Sequence, residues 1–425
     1  MARVARHPQT GGARLSTGGW GTTLAALRHP EFARFAIGRM AAIIGWEMLT
    51  IAVGWQVYAI SRDPLALGLV GLSEFVPFVA LVLVGGHVAD HHDRRVVAAV
   101  ACGFEAVCVA TFLGLTLAGT HLLWPMYLAI GVFGAARAFW SPAVQSILPA
   151  LVPRADLARA MALNSLLFQI SVIAGPTLGG LLFLLGAKVV YATCLALYLL
   201  TAALILGIRP VRAVAHSAGA AELGSGHRFV QGLKFVLHNR VLLGLISLDL
   251  FAVLFGGAAA LLPIFARDVL HAGSVAFGLL RTAPGAGAAI TGIVLALYPI
   301  RSHAGLWMFG GVALFGVATV VFGLSHVFLL SFAALFITGA GDMVSVYVRG
   351  VVAQLNTPDA IRGRVNAVTS MFIGASNELG GFESGVTARW FGTVPSVVIG
   401  GLATLGIVGL WVALFPPLRR MKDLR

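Results

Sequence analysis

Long apolar stretches and short polar ones alternate along the whole chain. Apolar runs begin near Phe35, Leu65, Val96, Leu122, Ala160 and Val189, and again near Val241, Val275, Leu306, Val327, Val365 and Val394. A helix needs about 20 apolar residues to cross the hydrocarbon layer of a bilayer, and each run supplies them. The runs are too long for barrel strands and lack strict apolar-polar alternation. Lipid offers no partner for a free backbone group, so the runs predict helices. A polar stretch divides them evenly. The pattern predicts an all-α integral membrane protein of twelve transmembrane helices in two six-helix bundles, at residues 32–208 and 241–415. Around the bundles lie a tail (1–31), a linker (209–240) and a basic C-terminal tail (416–425).

Composition supports this picture: 59% of residues are hydrophobic and 11% charged, more apolar surface than a water-soluble core can hide. Little of the 425 residues is left for a soluble domain. The first segment carries Arg3, Arg6, Arg14 and Arg28 but no short apolar core, so it does not read as a cleavable signal peptide, and its GGARLSTGG stretch is expected to be disordered. If the N-terminus is cytoplasmic, the inside loops hold Arg94, Arg95, Arg154, Arg159, Arg240, Arg301, Arg362, Arg364, Arg419 and Arg420 among others. The outside loops then hold only Arg62, Lys188, Arg267 and Arg389. This asymmetry predicts both termini inside. It also accounts for the net charge of +13 without a nucleic-acid partner, because the cations are spread over many loops.

The two halves resemble each other. ALGLVG with Gly68 is echoed by AFGLLR with Gly278, and LVPRADLARAM with Leu151 by LNTPDAIRGRV with Leu355, each about 200 residues later, as an internal repeat requires. Within the linker, FVQGLKFVL reads as a short amphipathic helix lying on the membrane surface. In the fifth run, GPTLGG sets Gly175 and Gly179 on one helix face, open to close approach by another helix, while Pro176 removes a backbone donor and bends the helix. A moving gate and a static small-residue seam both fit that local pattern.

These residues resemble the major facilitator superfamily. The likeness covers nearly the whole chain and rests on the twelve spans in two halves, a charged loop after span two, and GPxxGG in span five. Gly86, Asp90, Arg94 and Arg95 match the family's G-x-x-x-D-R-x-G-R-R loop, with His91 and Asp93 at two departures from it, and the resemblance implies a conformational latch there. Gly175, Pro176, Gly179 and Gly180 match the span-five motif that, in the family, marks exporters working by antiport. FWSPAVQSILPALVP and SNELGGFESG are similar to the bacterial branch containing enterobactin exporters and Tap-type multidrug pumps. The family also implies a monomer.

Ionisable residues inside spans are the sharpest functional signal, since each costs about 2.5–3.5 kcal/mol at a helix centre on insertion scales. Glu47 lies in span one, Glu74 in span two, Glu105 in span three, Arg137 in span four and Asp249 in span seven. Asp342 and Arg349 lie in span ten, Glu378 and Glu383 in span eleven. Arg39 and Arg281 stand nearer span ends, where they are expected to snorkel. Glu47 is the leading proton-carrier candidate, with Asp249 and Asp342 as helpers; the structural alternative pairs Glu47 with Arg137. Arg137 and Asp342 follow similar small-residue runs (GAAR and GAGD), and opposed charges there are expected to pair in one state and part in another. Glu378 and Glu383 are about 7.5 Å apart along the axis and on different faces, so they form no dyad. Glu74 and Glu105 fit cavity lining and interhelical hydrogen bonding equally.

Other features read as structural. His87, His91, His92, Asp90 and Asp93 crowd one short loop and are not expected to bind metal. Cys102, Cys108 and Cys194 read as buried small apolar residues. Trp46, Trp55 and Trp140 are candidates to stack on substrate, and Trp124 and Trp390 to anchor at the interface. No phosphate-binding GxxxxGK[ST] loop occurs, so ATP is not expected to drive transport, and no cofactor is implied. The sequence therefore points to a proton-driven exporter of amphipathic small molecules, drugs or siderophores, in a bacterial cytoplasmic membrane. An importer of a small polar solute is the rival; a membrane enzyme or transporter-derived sensor would need a nucleophile, metal or cofactor constellation that the chain does not display.

Overall fold

The computed structural model describes residues 28–153, 155–209, 225–358 and 361–421, with 225–229 by backbone alone. The tail expected to be disordered is therefore, up to residue 27, outside the described residues. The first half contains α1 (Pro30–Ser61), α2 (Pro64–His91), α3 (Arg94–Leu117), α4 (Trp124–Leu151), α5 (Leu157–Leu182) and α6 (Ala187–Leu206). A linker helix α7 (Ser225–His238) leads to α8 (Arg240–Gly256), α9 (Ser274–Leu297), α10 (Ala304–Leu324), α11 (Phe328–Leu355), α12 (Arg362–Phe391) and α13 (Thr393–Leu414). The seventh crossing is broken: beyond α8 it continues through a 3₁₀ turn at Ala258–Leu261 and a π turn at Phe265–Val269.

Among the described residues, ten crossings are long and apolar enough to span a bilayer. The remaining two, α4 and α12, are as long but more polar. Both line the space between the halves, where side chains need not match lipid, which explains the difference. Exposed apolar side chains such as Leu184, Leu185, Leu297, Leu329 and Trp390 cover the outside of the bundle, the surface a bilayer would solvate.

Helix ends are set by short local signals. Asp63 accepts a hydrogen bond from the Leu65 amide just before Pro64 at the first turn of α2, and Asp93 does the same for the Arg95 amide at α3. Asn239 caps α8 through the amides of Val241 and Leu242. Equivalent turns before α6 and α13 use Gly186 (φ 100°) and Gly392 (φ 91°), backbone conformations that a side chain would strain.

Within the first half, α2 packs on α4, α3 on α4 and α6, and α1 on α5 and α6. In the second, α9 packs on α11, α10 on α11 and α13, and α8 on α12 and α13. The halves meet at two seams, α5 against α9 and α2 against α12. The repeated glycines build both seams. A Cβ on Gly180 would sit 2.6 Å from the Ser274 carbonyl oxygen and 3.2 Å from the Gly278 Cα. In the symmetric place, a Cβ on Gly385 would sit 3.0 Å from the Pro64 carbonyl oxygen and 3.1 Å from the Gly68 Cα. Backbones this close admit no side chain between them.

Both glycine contacts lie near the face opposite the linker. Arg389 and Asp63 form an ion pair there at 3.4 Å, Arg62 reaches Asp268 at 3.7 Å, and the Tyr58 hydroxyl donates to Asp268. Towards the linker face the α5–α9 seam extends to the Gln169 side-chain amide, which donates to the Gly285 carbonyl at 3.0 Å. Beyond it Leu166 and Ile290 are exposed. The seam between the halves is thus tightest at the face opposite the linker.

The linker helix packs on the first turns of α12, with Arg364 donating to the Gln231 side chain and Gly232 set against the Arg364 backbone.

Candidate functional site

Between the halves lies a cavity of about 430 Å³ lined from α1, α2, α4, α8, α9 and α12 and by the turns beyond α8. Its wall is aromatic, with Trp46, Phe75, Phe78, Phe133 and Phe277, and four charged side chains enter it: Glu74, Arg137, Arg281 and Glu378. Gly134 on α4 abuts the Glu74 backbone on α2, and this close crossing brings Arg137, one turn further along α4, to the Glu74 carboxylate. Arg137 Nη1 donates to Glu74 Oε1 at 3.2 Å, and the guanidinium lies 3.8 Å from the centre of the Trp46 ring. Glu378 projects from α12 past Gly71 of α2, where a Cβ would fall 2.9 Å from its Oε2.

Glu47 lies behind this wall, 5% exposed. It makes no hydrogen bond or ion pair among the described residues, although Arg281, Arg137 and Glu74 all bear on it electrostatically. Arg137 is therefore not its ion-pair partner here; Glu74 takes that place. The GPTLGG motif makes room for it. A Cβ on Gly175 would lie 2.5 Å from the Glu47 Cβ, and one on Gly179 would lie 3.0 Å from the Met48 Cα. The same motif presents its other face to α9, where the Pro176 carbonyl meets Gly278, and the Thr282 hydroxyl donates to the Ile173 carbonyl at 3.0 Å. One short motif thus clamps α1 on one side and the second half on the other.

The remaining candidates fall into other places. Asp249 and Arg349 form a buried ion pair between α8 and α11, with Asp342 close enough to feel both charges, and none of the three lines the cavity. Asp342 and Arg137 consequently do not meet: each is engaged within its own half. Glu105 is 2% exposed, packed inside the first half away from the cavity wall. Of the two span-eleven acids, Glu378 lines the cavity and Glu383 does not.

Two arginines expected to snorkel point inward instead. Arg39 donates to the Asn164 side chain at 2.7 Å, tying α1 to α5. Arg281 lines the central cavity. It stands three residues after Gly278, which is pressed against α5. A residue three positions along that helix returns to the same inward face.

Among the tryptophans, Trp46 is in the cavity wall, whereas Trp55 stacks on Phe277 (6.0 Å between ring centres) and Trp140 packs against the core. Trp124 and Trp390 are exposed at helix ends. The three cysteines are buried.

The charged loop after α2 is tied to its own half. Arg95 pairs with Asp93 at 2.6 Å and also donates to the Ile208 carbonyl at the end of α6. Arg94 donates to the Ser146 carbonyl of α4 at 3.2 Å. The Arg95 hydrogen bonds hold the Asp93 carboxyl below the ordinary carboxylate range. Asp90 is exposed, and a Cβ on Gly86 would meet open space. Among the described residues the hydrogen bonds and ion pairs of Arg94 and Arg95 all lie within the first half.

A fold of two symmetric six-helix units closed at one end over a central charged cavity narrows the field to transporters, and the family match decides it. A family model described as transmembrane secretion effector matches residues 21–424. The chain belongs to that family, a branch of the major facilitator superfamily. The enterobactin exporter EntS of Citrobacter koseri is 28% identical over 417 residues, covering 95% of this chain and 96% of that protein. Among solved structures, a point mutant of the nucleoside transporter NupG superposes with a TM-score of 0.73 at 14% identity, covering 91% of this chain and 100% of that one. A bacterial homologue of the human lysosomal transporter Spinster, inward-facing and occupied, gives 0.72 at 13% identity, covering 92% and 97%. These structures share the fold. The chain is a multi-pass membrane transporter.

Proposed function

We propose that this transporter exports amphipathic small molecules, drugs or siderophores, from a bacterial cytoplasm by proton antiport with alternating access. The observation that carries the reading is the seat of Glu47. A buried acid without an ion-pair partner among the described residues lies against the exporter-type GPTLGG motif, which itself bridges α1 and the second half. A change of charge on Glu47 therefore acts directly on a seam that must rearrange when the molecule changes state. Likeness to the enterobactin exporters over nearly the full length supports the export direction.

The positive-inside asymmetry supports both termini and the linker face in the cytoplasm, which makes the described state one that is tied shut on the outside and loads from within. In this state Glu47 releases its proton inward and the aromatic cavity loads substrate. After the switch, substrate leaves outward and a proton returns to Glu47 from the other side. Asp249 and Asp342 form a second acidic centre for the same coupling. The loop with Gly86, Asp90, Arg94 and Arg95 latches the cytoplasmic face once it closes.

The test is drug and siderophore accumulation in an efflux-deficient bacterium, comparing the native transporter with Glu47→Gln, with and without a protonophore. Accumulation should fall with the native protein, and both treatments should restore it. Normal proton-driven efflux by Glu47→Gln removes Glu47 from the mechanism, and net uptake by the native protein would establish an importer.

A further inference from the structure

The four charges in the cavity are not equivalent. Arg137 and Glu74, both on first-half helices, neutralise each other at 3.2 Å, and Arg137 is further occupied by the Trp46 ring. Arg281 and Glu378, both on second-half helices, have no hydrogen bond or ion pair among the described residues. They bear on each other electrostatically without pairing, and Arg281 also bears on Glu47 behind the wall. The cavity thus offers a ligand one open guanidinium and one open carboxylate, in a lining that also includes Phe75, Phe78 and Phe277.

Resting on the transport reading above, we infer that the cavity recognises aromatic zwitterions. The ligand's carboxylate is held by Arg281, its ammonium by Glu378, and its ring system by the aromatic wall. A guanidinium fork matches a carboxylate with two parallel hydrogen bonds, and charge-assisted bonds of this kind are roughly twice as strong as neutral ones. A ligand carrying only one charge forms one such bond and, by covering the other protein ion without pairing it, strips that ion of water with nothing in return. Flat rings gain offset or edge contacts with the phenylalanines. The first half, with its charges mutually satisfied, supplies shape, while the second half reads charge.

A matched set of probes tests this on the purified full-length transporter by titration calorimetry at pH 7. Norfloxacin is zwitterionic, its ethyl ester cationic and its N-acetyl derivative anionic. Norfloxacin should bind at least tenfold more tightly than either relative. Arg281→Gln should erase its advantage over the ester, Glu378→Gln its advantage over the N-acetyl compound, and Arg281→Lys should retain part of the first.

Equal binding of the three probes by the native protein overturns the inference, as do variants that weaken all three alike. The native ranking stands as a test even where a variant fails to fold. Transport of norfloxacin by proteoliposomes under a pH gradient separates this inference from the reading it rests on. Selective binding with no proton-driven transport defeats antiport and leaves the recognition rule standing; proton-driven transport of all three probes with equal affinity does the reverse.

Discussion

Gly175 is the residue at which packing and coupling meet. An added methyl would stand 2.5 Å from the Glu47 Cβ, so α1 and α5 must separate or Glu47 must leave its place. Overpacking of this kind costs about 1–3 kcal/mol. Gly175→Ala should lower the thermal unfolding midpoint of the purified transporter and reduce coupled efflux, whereas Gly114→Ala, where the new methyl meets open space, should do neither. An unchanged melting curve for Gly175→Ala would show that the seam yields freely. The candidate acids are legible in the sequence because ionisable residues in apolar runs are rare, but their partners are not. Whether Arg137 meets Glu47 or Glu74 depends on how α4 crosses α2, which Gly134 settles by a contact that no single-helix pattern contains. Arg281 escapes a linear reading because distance from a span end is a poor guide to depth in the bundle. Its helix starts at Ser274 and packs at once against α5, so its eighth residue already faces the cavity.

Elements are the most readable level, since a run of apolar residues long enough to cross a bilayer has one hydrogen-bonding solution. The expected starts fall within a few residues of the helices, and the caps at Asp63, Asp93 and Asn239 explain where α2, α3 and α8 begin. What no periodicity reveals is the break after Gly256, where the seventh crossing passes into 3₁₀ and π turns and sets Asp268 beside Tyr58 and Arg62 of the first half. With the Arg389–Asp63 pair, this contact ties the two halves together at the face opposite the linker. Both ion pairs are largely exposed, so each is worth about 0.2–1 kcal/mol, enough to shift a two-state balance a few-fold. Asp268→Asn combined with Arg389→Ala should accordingly raise, about two- to tenfold, the rate at which an impermeant maleimide applied from outside labels a cysteine placed at the cavity residue Ala260. No increase would mean that the glycine seams alone hold this face closed.

At the scale of the whole molecule, the internal repeat becomes a statement about motion. Gly180 meets Gly278 and Gly385 meets Gly68 by the same geometry, so each half offers the other one long seam, and the two seams are related by the pseudo-twofold axis. Both are tight at the face opposite the linker; towards the linker the α5–α9 seam reaches Gln169 and Gly285, beyond which Leu166 and Ile290 are exposed. Because each half is packed on its own, closing the linker face while keeping these cores requires the halves to rock as bodies, which opens the glycine contacts at the other end. Following the antiparallel course of α5 and α9, Leu166 and Ile290 should then come together. The native cysteines are all buried, so a Leu166→Cys, Ile290→Cys pair can be read against a quiet background. Disulfide formation should be slow in the described state and accelerate when the Asp268 and Arg389 substitutions release the outer face. If cross-linking at the linker face and labelling at the outer face rise and fall independently, the halves do not move as rigid bodies. The shared charge at Glu47 would then couple to a local gate in α1 and α5 instead of to the whole transporter.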